Sequence, residues 1–143
     1  MSLYTIGFTK HSAEHFFETL KSAGVKRLID IRINKTSQLA GFAKGSDLPY
    51  FLRVGAGIAY ESIENLAPTK DLLKRYRSKE ISWEEFEDLY LKQIKSSGSL
   101  EALNPKNFEN ACLLCSEHTS EKCHRRLLAE ELHKLWGIQV VHL

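Results

Sequence analysis

The chain is predicted to be an α/β protein in three layers, with a mostly parallel sheet of about five strands and helices on both of its faces. Three observations predict this. Short apolar, β-branched runs alternate along the chain with stretches of helical spacing. The first strand-helix-strand unit calls for a parallel pair, because a crossover helix returns the chain to the end from which the first strand began. The length of 143 residues suits one domain over residues 1–143, since a single core is usual at that size.

The elements follow in order. Residues 3–7, L-Y-T-I-G, are a β-branched apolar run closed by Gly7, the pattern of a buried strand. Ser12 then caps a helix whose apolar positions Ala13, Phe16, Phe17, Leu20 and Ala23 fall at helical spacing, and Gly24 suits its C′ position. Residues 25–32 restore the strand pattern. Residues 33–46, I-N-K-T-S-Q-L-A-G-F-A-K-G-S, follow neither period, and a loop of that length in a compact domain is more often functional than accidental. A third strand is expected at 58–62. The helix after it is marked by Ser82 with Glu85, a capping box ahead of Trp83, Phe86, Tyr90 and Ile94. Serines and glycine at 96–99 break it, and Asn104 before Pro105 opens a shorter turn. A fourth strand covers 111–116. The last helix spans residues 121–136, with Leu128, Leu132 and Leu135 on one stripe and Gly137 ending it, and a final strand covers 138–143.

Composition narrows the class. Hydrophobic residues make up 43% and charged residues 27%, ordinary for a globular protein, so a disordered or fibrous chain is excluded. The net charge of +2 is too mild to mark a nucleic-acid binder by itself. No apolar run approaches the ~18 residues of a membrane span, and M-S-L-Y-T-I-G lacks the basic flank and cleavage pattern of a signal peptide, so the expected location is cytoplasmic with no membrane partner. Three cysteines at 112, 115 and 123 are an odd number and poor material for a disulfide framework, so reduced thiols are expected.

In open parallel sheets ligands bind beyond the carboxyl ends of the strands. That rule collects Gly7 and Thr9 from strand one, Asp30 and Arg32 from strand two, Cys115, Ser116 and Glu117 from strand four, and Cys123, His124 and Arg125 at the start of the last helix. Asp30 and Arg32 are two apart and share a strand face, where they can equally form a structural ion pair. Cys112 and Cys115 spell C-x-x-C, yet their spacing in a strand points them to opposite faces, so neither a metal nor another cofactor is expected, and Cys112 reads as core. Cys123 beside His124 and Arg125 in a helix's first turn would have its thiolate favoured. Cys115 could be the nucleophile instead, or a resolving partner. Glu117 and His124 supply acid or base groups, while Arg32, Lys35, Lys44, Arg125 and Arg126 could hold an anion.

These residues together resemble the domain of unknown function family 488. The likeness rests on T-I-G at 5–7, D-I-R at 30–32 followed by Ser37 and G-F at 41–42, then C-S-E, C-H-R and the closing V-V-H-L. It implies a small α/β fold with functional residues at Asp30, Arg32, Ser37, Cys115, Glu117, Cys123, His124 and Arg125. The chain departs from the common pattern at Phe8, where many members have histidine, and at Lys35, where many have proline.

The leading expectation is a cysteine-dependent enzyme acting on an anionic, phosphate-bearing substrate, either a nucleotide or a nucleic acid. Cys115 or Cys123 attacks, Glu117, His124 and Asp30 complete the catalytic set, and Arg32, Ser37, Arg125 and Thr9 bind the substrate. Sulfur transfer is the alternative enzymatic reading, because D-I-R before a long loop and a cysteine ending a later strand look like the rhodanese arrangement. A C-x5-R phosphatase loop is excluded by Glu121, which stands where the arginine is required. A non-catalytic nucleic-acid-binding module, using Arg32, Lys35, Lys44, Phe42 and Tyr50, and a redox pair of Cys115 with Cys123 remain open.

Overall fold

A computed structural model describes residues 2–35, 41–116 and 120–143. Five strands, β1 (Ser2–Gly7), β2 (Arg27–Asp30), β3 (Ala59–Ser62), β4 (Ala111–Cys115) and β5 (Gln139–His142), form one sheet in the order β3-β2-β4-β1-β5. Every neighbouring pair is parallel. The helices are α1 (Ala13–Ala23), α2 (Leu48–Ala56), α3 (Lys70–Arg77), α4 (Trp83–Ser96) and α5 (His124–Trp136). The expected α/β architecture is therefore present.

Local chemistry explains most boundaries. The Ser12 hydroxyl accepts from the His15 amide to start α1, and Gly24, at φ 76°, closes it in the left-handed conformation that a side chain would disfavour. Ser82 and Glu85 form the reciprocal capping box of α4, which buries Phe86, Tyr90 and Ile94. Asn104 caps the 3-10 turn Pro105–Phe108. Two helices were not expected. In α2 the Asp47 side chain makes no capping bond and L-P-Y-F-L is too uniformly apolar to show a period; α3 is eight residues long and buries only Leu72.

The sheet separates two apolar clusters. On one face Phe16 and Leu20 of α1 and Leu48 and Leu52 of α2 pack with Ile6, Leu28, Cys112 and Leu114. On the other, Phe86, Tyr90 and Ile94 of α4 and Leu127, Leu128 and Leu132 of α5 pack with Ile29, Leu113 and Cys115. Residues of β4 alternate between the clusters, as the two-residue period of a strand dictates.

Two expectations about the last helix are corrected. It begins at His124 rather than 121, because Cys123 is extended (φ −137°, ψ 140°) and serves as its N-cap residue. Leu135 does not continue the buried stripe: it is 56% exposed, in a final turn of which 133–135 all face solvent, and Leu127 packs instead. Among the described residues, no helix is long and apolar enough to cross a membrane.

The topology also makes a crevice. Strands β2 and β4 are neighbours, but the chain leaves β2 toward α2 on one face and leaves β4 toward α5 on the other. Divergence of successive helices from adjacent strand ends is the switch point at which open α/β sheets bind ligands.

Candidate functional site

Cys115 is the last residue of β4 and faces the α5 side. The chain turns beyond it and returns with Cys123 at the N-cap of α5, so that the two sulfurs meet in a disulfide with Cα atoms 7.6 Å apart. Of the three thiols expected reduced, these two are the pair that the redox reading names, and the structure brings them together. Strand end and helix start are brought together by the turn between them, a proximity that cysteine number does not reveal. Cys112 remains a free thiol, buried in the opposite cluster, where desolvation pushes its pKa up.

Three groups serve this sulfur pair. Arg125, only 1% exposed, donates from Nη1 to Cys115 Sγ at 3.2 Å, a charge-assisted contact that favours the thiolate once the bridge is reduced. The α5 N-terminus adds its partial positive charge beside Cys123. His124 Nε2 lies 2.8 Å from the Ile31 carbonyl, and since a carbonyl only accepts, the proton is on Nε2 and Nδ1 carries a lone pair. Burial, then the charge of Arg125, lowers the His124 pKa to about 4, so its ring is neutral at neutral pH.

Cys115, Cys123 and His124 offer ligand atoms within 4.8 Å of one another, and this trio is what could hold a soft divalent ion in the reduced protein. The C-x-x-C pair cannot, because Cys112 belongs to the other face.

Asp30 and Arg32 form a separate structure. Asp30 is in register with Leu114, not Cys115, and therefore lies on the α1/α2 side of the sheet. Its two oxygens take Arg32 Nε at 2.8 Å and Nη2 at 2.7 Å, the Arg32 amide at 3.1 Å and the Tyr60 hydroxyl at 2.5 Å. Burial and the adjacent carboxylate push the Tyr60 phenol up, so it stays a donor. Arg32 also lies over the Phe8 ring. The pair is built as a strand-end lock, with the Asp30 carboxylate fully engaged.

Only Arg32 of that lock reaches the cleft around the sulfurs. The cleft, of about 70 Å³, is lined by Arg32, Ile33, Asn34, Leu73, Tyr76, Arg77, Trp83, Phe86, Cys115, Ser116, Lys122, Cys123 and His124. A larger groove of about 800 Å³ adjoins it, sharing Ile33, Asn34, Leu73 and Arg77 and adding Lys35, Lys70, Lys74 and Ser78. Its floor is apolar and its rim is cationic. Lys35 is held there by Glu64 at 2.9 Å and Ser62 at 2.8 Å, which also lowers the Glu64 pKa.

The structure thus brings Cys115, Cys123, His124 and Arg125 together, with Arg32 at the cleft wall, and sets Asp30 apart. Thr9 is bound by its hydroxyl and amide to the Ser116 carbonyl, which ties the end of β1 to that of β4. Ser37 and Glu117 lie outside the described residues. Arg126 is engaged by Glu130 and Glu87, and Phe42 packs against Phe16 and Phe17 on the opposite face. The groove's Lys70, Lys74 and Arg77 were missed, although K-D-L-L-K-R-Y-R places them at i, i+4 and i+7, one face of a helix. Trp83 was read only as core; it lines the cleft.

The chain belongs to the family named domain of unknown function DUF488, whose model matches residues 12–132. No curated protein and no solved structure matches it.

Proposed function

We propose that this member of the DUF488 family is a cysteine-dependent enzyme acting on a phosphate-bearing substrate, a nucleotide or nucleic acid. One observation carries the reading: the cationic groove of Lys35, Lys70, Lys74 and Arg77 runs into the narrow cleft that ends at Cys115 and Cys123. Phosphate binds in the groove by charge, and only the reacting part of the substrate enters the cleft. In the reduced protein Cys115, its thiolate held by Arg125, supplies the electron pair to the substrate's electrophilic centre as the leaving group departs. Neutral His124 is an acceptor through Nδ1, not an acid.

The test is intact-mass analysis of reduced protein incubated with a panel of nucleotides and oligonucleotides. A covalent adduct on Cys115, absent in Cys115→Ser, is expected. Turnover of any identified substrate that persists undiminished in the Cys115→Ser/Cys123→Ser double variant sinks the reading.

The disulfide itself favours a second reading, a thiol redox protein in which Cys115 and Cys123 are the exchanging pair. Equilibration in glutathione buffers separates the two. A bridge that cycles within the buffered range, without any substrate adduct, supports redox exchange.

A further inference from the structure

We propose that the basic face of α3 is a track for the backbone of a single-stranded nucleic acid, which brings the reacting part of one unpaired nucleotide to the cysteine cleft. This rests on the reading of that cleft as an active site and narrows its substrate class. Lys70, Lys74 and Arg77 occupy one face of α3, and all three are exposed. Most other helical cations are neutralised by carboxylates, Lys21 by Glu18, Arg75 by Glu80, Lys92 by Asp88, Arg126 by Glu130 and Lys134 by Glu131, while Arg53 lies over the Tyr50 ring and Arg125 faces Cys115. Among the described residues no carboxylate pairs with Lys70, Lys74 or Arg77, so this face keeps its charge.

Length and depth select the ligand. From Lys70 to Arg77 the helix rises about 10 Å, at about 1.5 Å per residue, so a single phosphate cannot touch both ends whereas successive phosphates of a strand can. Beside Arg77 the cleft is lined by Tyr76 and Trp83, whose ring centroids are 5.6 Å apart and which both pack on Phe86, an aromatic wall against which a base can stack. Cys115 and Cys123, which line the cleft, are 1% and 2% exposed. A paired, stacked nucleotide cannot reach them, so the strand must arrive unpaired or with the target nucleotide turned out.

The test is fluorescence anisotropy with a labelled single strand of about ten nucleotides, a length within the usual range of such sites. It is performed on reduced Cys115→Ser, so that the strand is not consumed. We expect saltable binding, at least about tenfold tighter than a nucleoside triphosphate or the same sequence as a duplex. In Lys70→Gln/Lys74→Gln/Arg77→Gln, which alters only exposed side chains, the salt slope should fall by about two, since each lost contact removes about 0.7. Equal affinity for the triphosphate, tighter binding of the duplex, or a slope untouched by the triple substitution overturns the track. If a small phosphate ester labels Cys115 but the strand does not bind, the track fails and the enzyme stands. If the strand binds as expected but no substrate depends on the cysteines, the enzyme fails and the track stands.

Discussion

Two buried arginines, Arg32 just beyond the end of β2 and Arg125 in the first turn of α5, are partnered differently. Arg32 and Arg125 are 3% and 1% exposed, yet Arg32 is clamped by both oxygens of Asp30, while Arg125 points Nη1 at the sulfur of Cys115. A guanidinium facing an ionised carboxylate has its charge answered at all times. One facing a sulfur stabilises a charge that exists only when the thiol is reduced and deprotonated. The first belongs to folding and the second, under the proposed function, to chemistry, although both residues end short polar signatures, D-I-R and C-H-R, that look alike on paper.

The largest expected effect tests the folding half of this contrast. Arg32→Ala leaves the Asp30 carboxylate buried without its main partner and should destabilise the protein by about 3–5 kcal/mol, read as a shift of the urea midpoint. A loss under 1 kcal/mol, with m unchanged, would mean that Asp30 relaxes to water and the lock is not one.

Next comes a pH effect on the sulfur side. The folded pKa of His124, about 4, lies below its ordinary 6.5, so the unfolded chain takes up the proton first. Stability from this group is full above about pH 6.5 and is lost as pH falls toward 4, by roughly 3 kcal/mol in all. In His124→Gln, which keeps a donor for the Ile31 carbonyl, most of that slope should vanish. An unchanged slope assigns it to other groups.

Reducing the Cys115–Cys123 bridge should cost about 2–3 kcal/mol, from the entropy of a loop with a sequence separation of 8. Denaturation with and without a reductant measures it, with Cys115→Ser/Cys123→Ser as the variant on which the reductant has no effect.

The smallest effect sharpens the chemical half. In a Cys123→Ser background, Arg125→Met should raise the apparent pKa of Cys115 and slow alkylation near pH 7 by about threefold, the loss of thiolate being partly offset by its greater nucleophilicity. Arg32→Lys in the same background should leave that pKa where it was. If both substitutions move it equally, the two arginines are not distinct in role.

What was legible in the sequence follows from local rules. The capping bonds of Ser12 and Ser82, the left-handed Gly24, the strand periods and the opposite facing of Cys112 and Cys115 depend on residues within a few positions of one another. The C-S-E and C-H-R segments were marked for the same reason, as a strand end and a helix start. α2 and α3 were not legible, because one lacks a periodic contrast and a capping side chain and the other is short and buries a single leucine.

The tertiary structure decided what sequence distance conceals. Parallel pairing sets Asp30 beside Leu114 rather than Cys115, which moves the Asp30–Arg32 pair to the other face of the sheet. The turn after β4 closes the Cys115–Cys123 bridge, and the packing of α3 against α4 carries a basic helix face and Trp83 to the sulfurs. By itself the sequence determined the fold class and named the candidate residues by type, since periodicity and side-chain type are properties of neighbours. Which of those residues share a site was decided by strand register and helix placement, because these depend on contacts between segments that the chain keeps far apart.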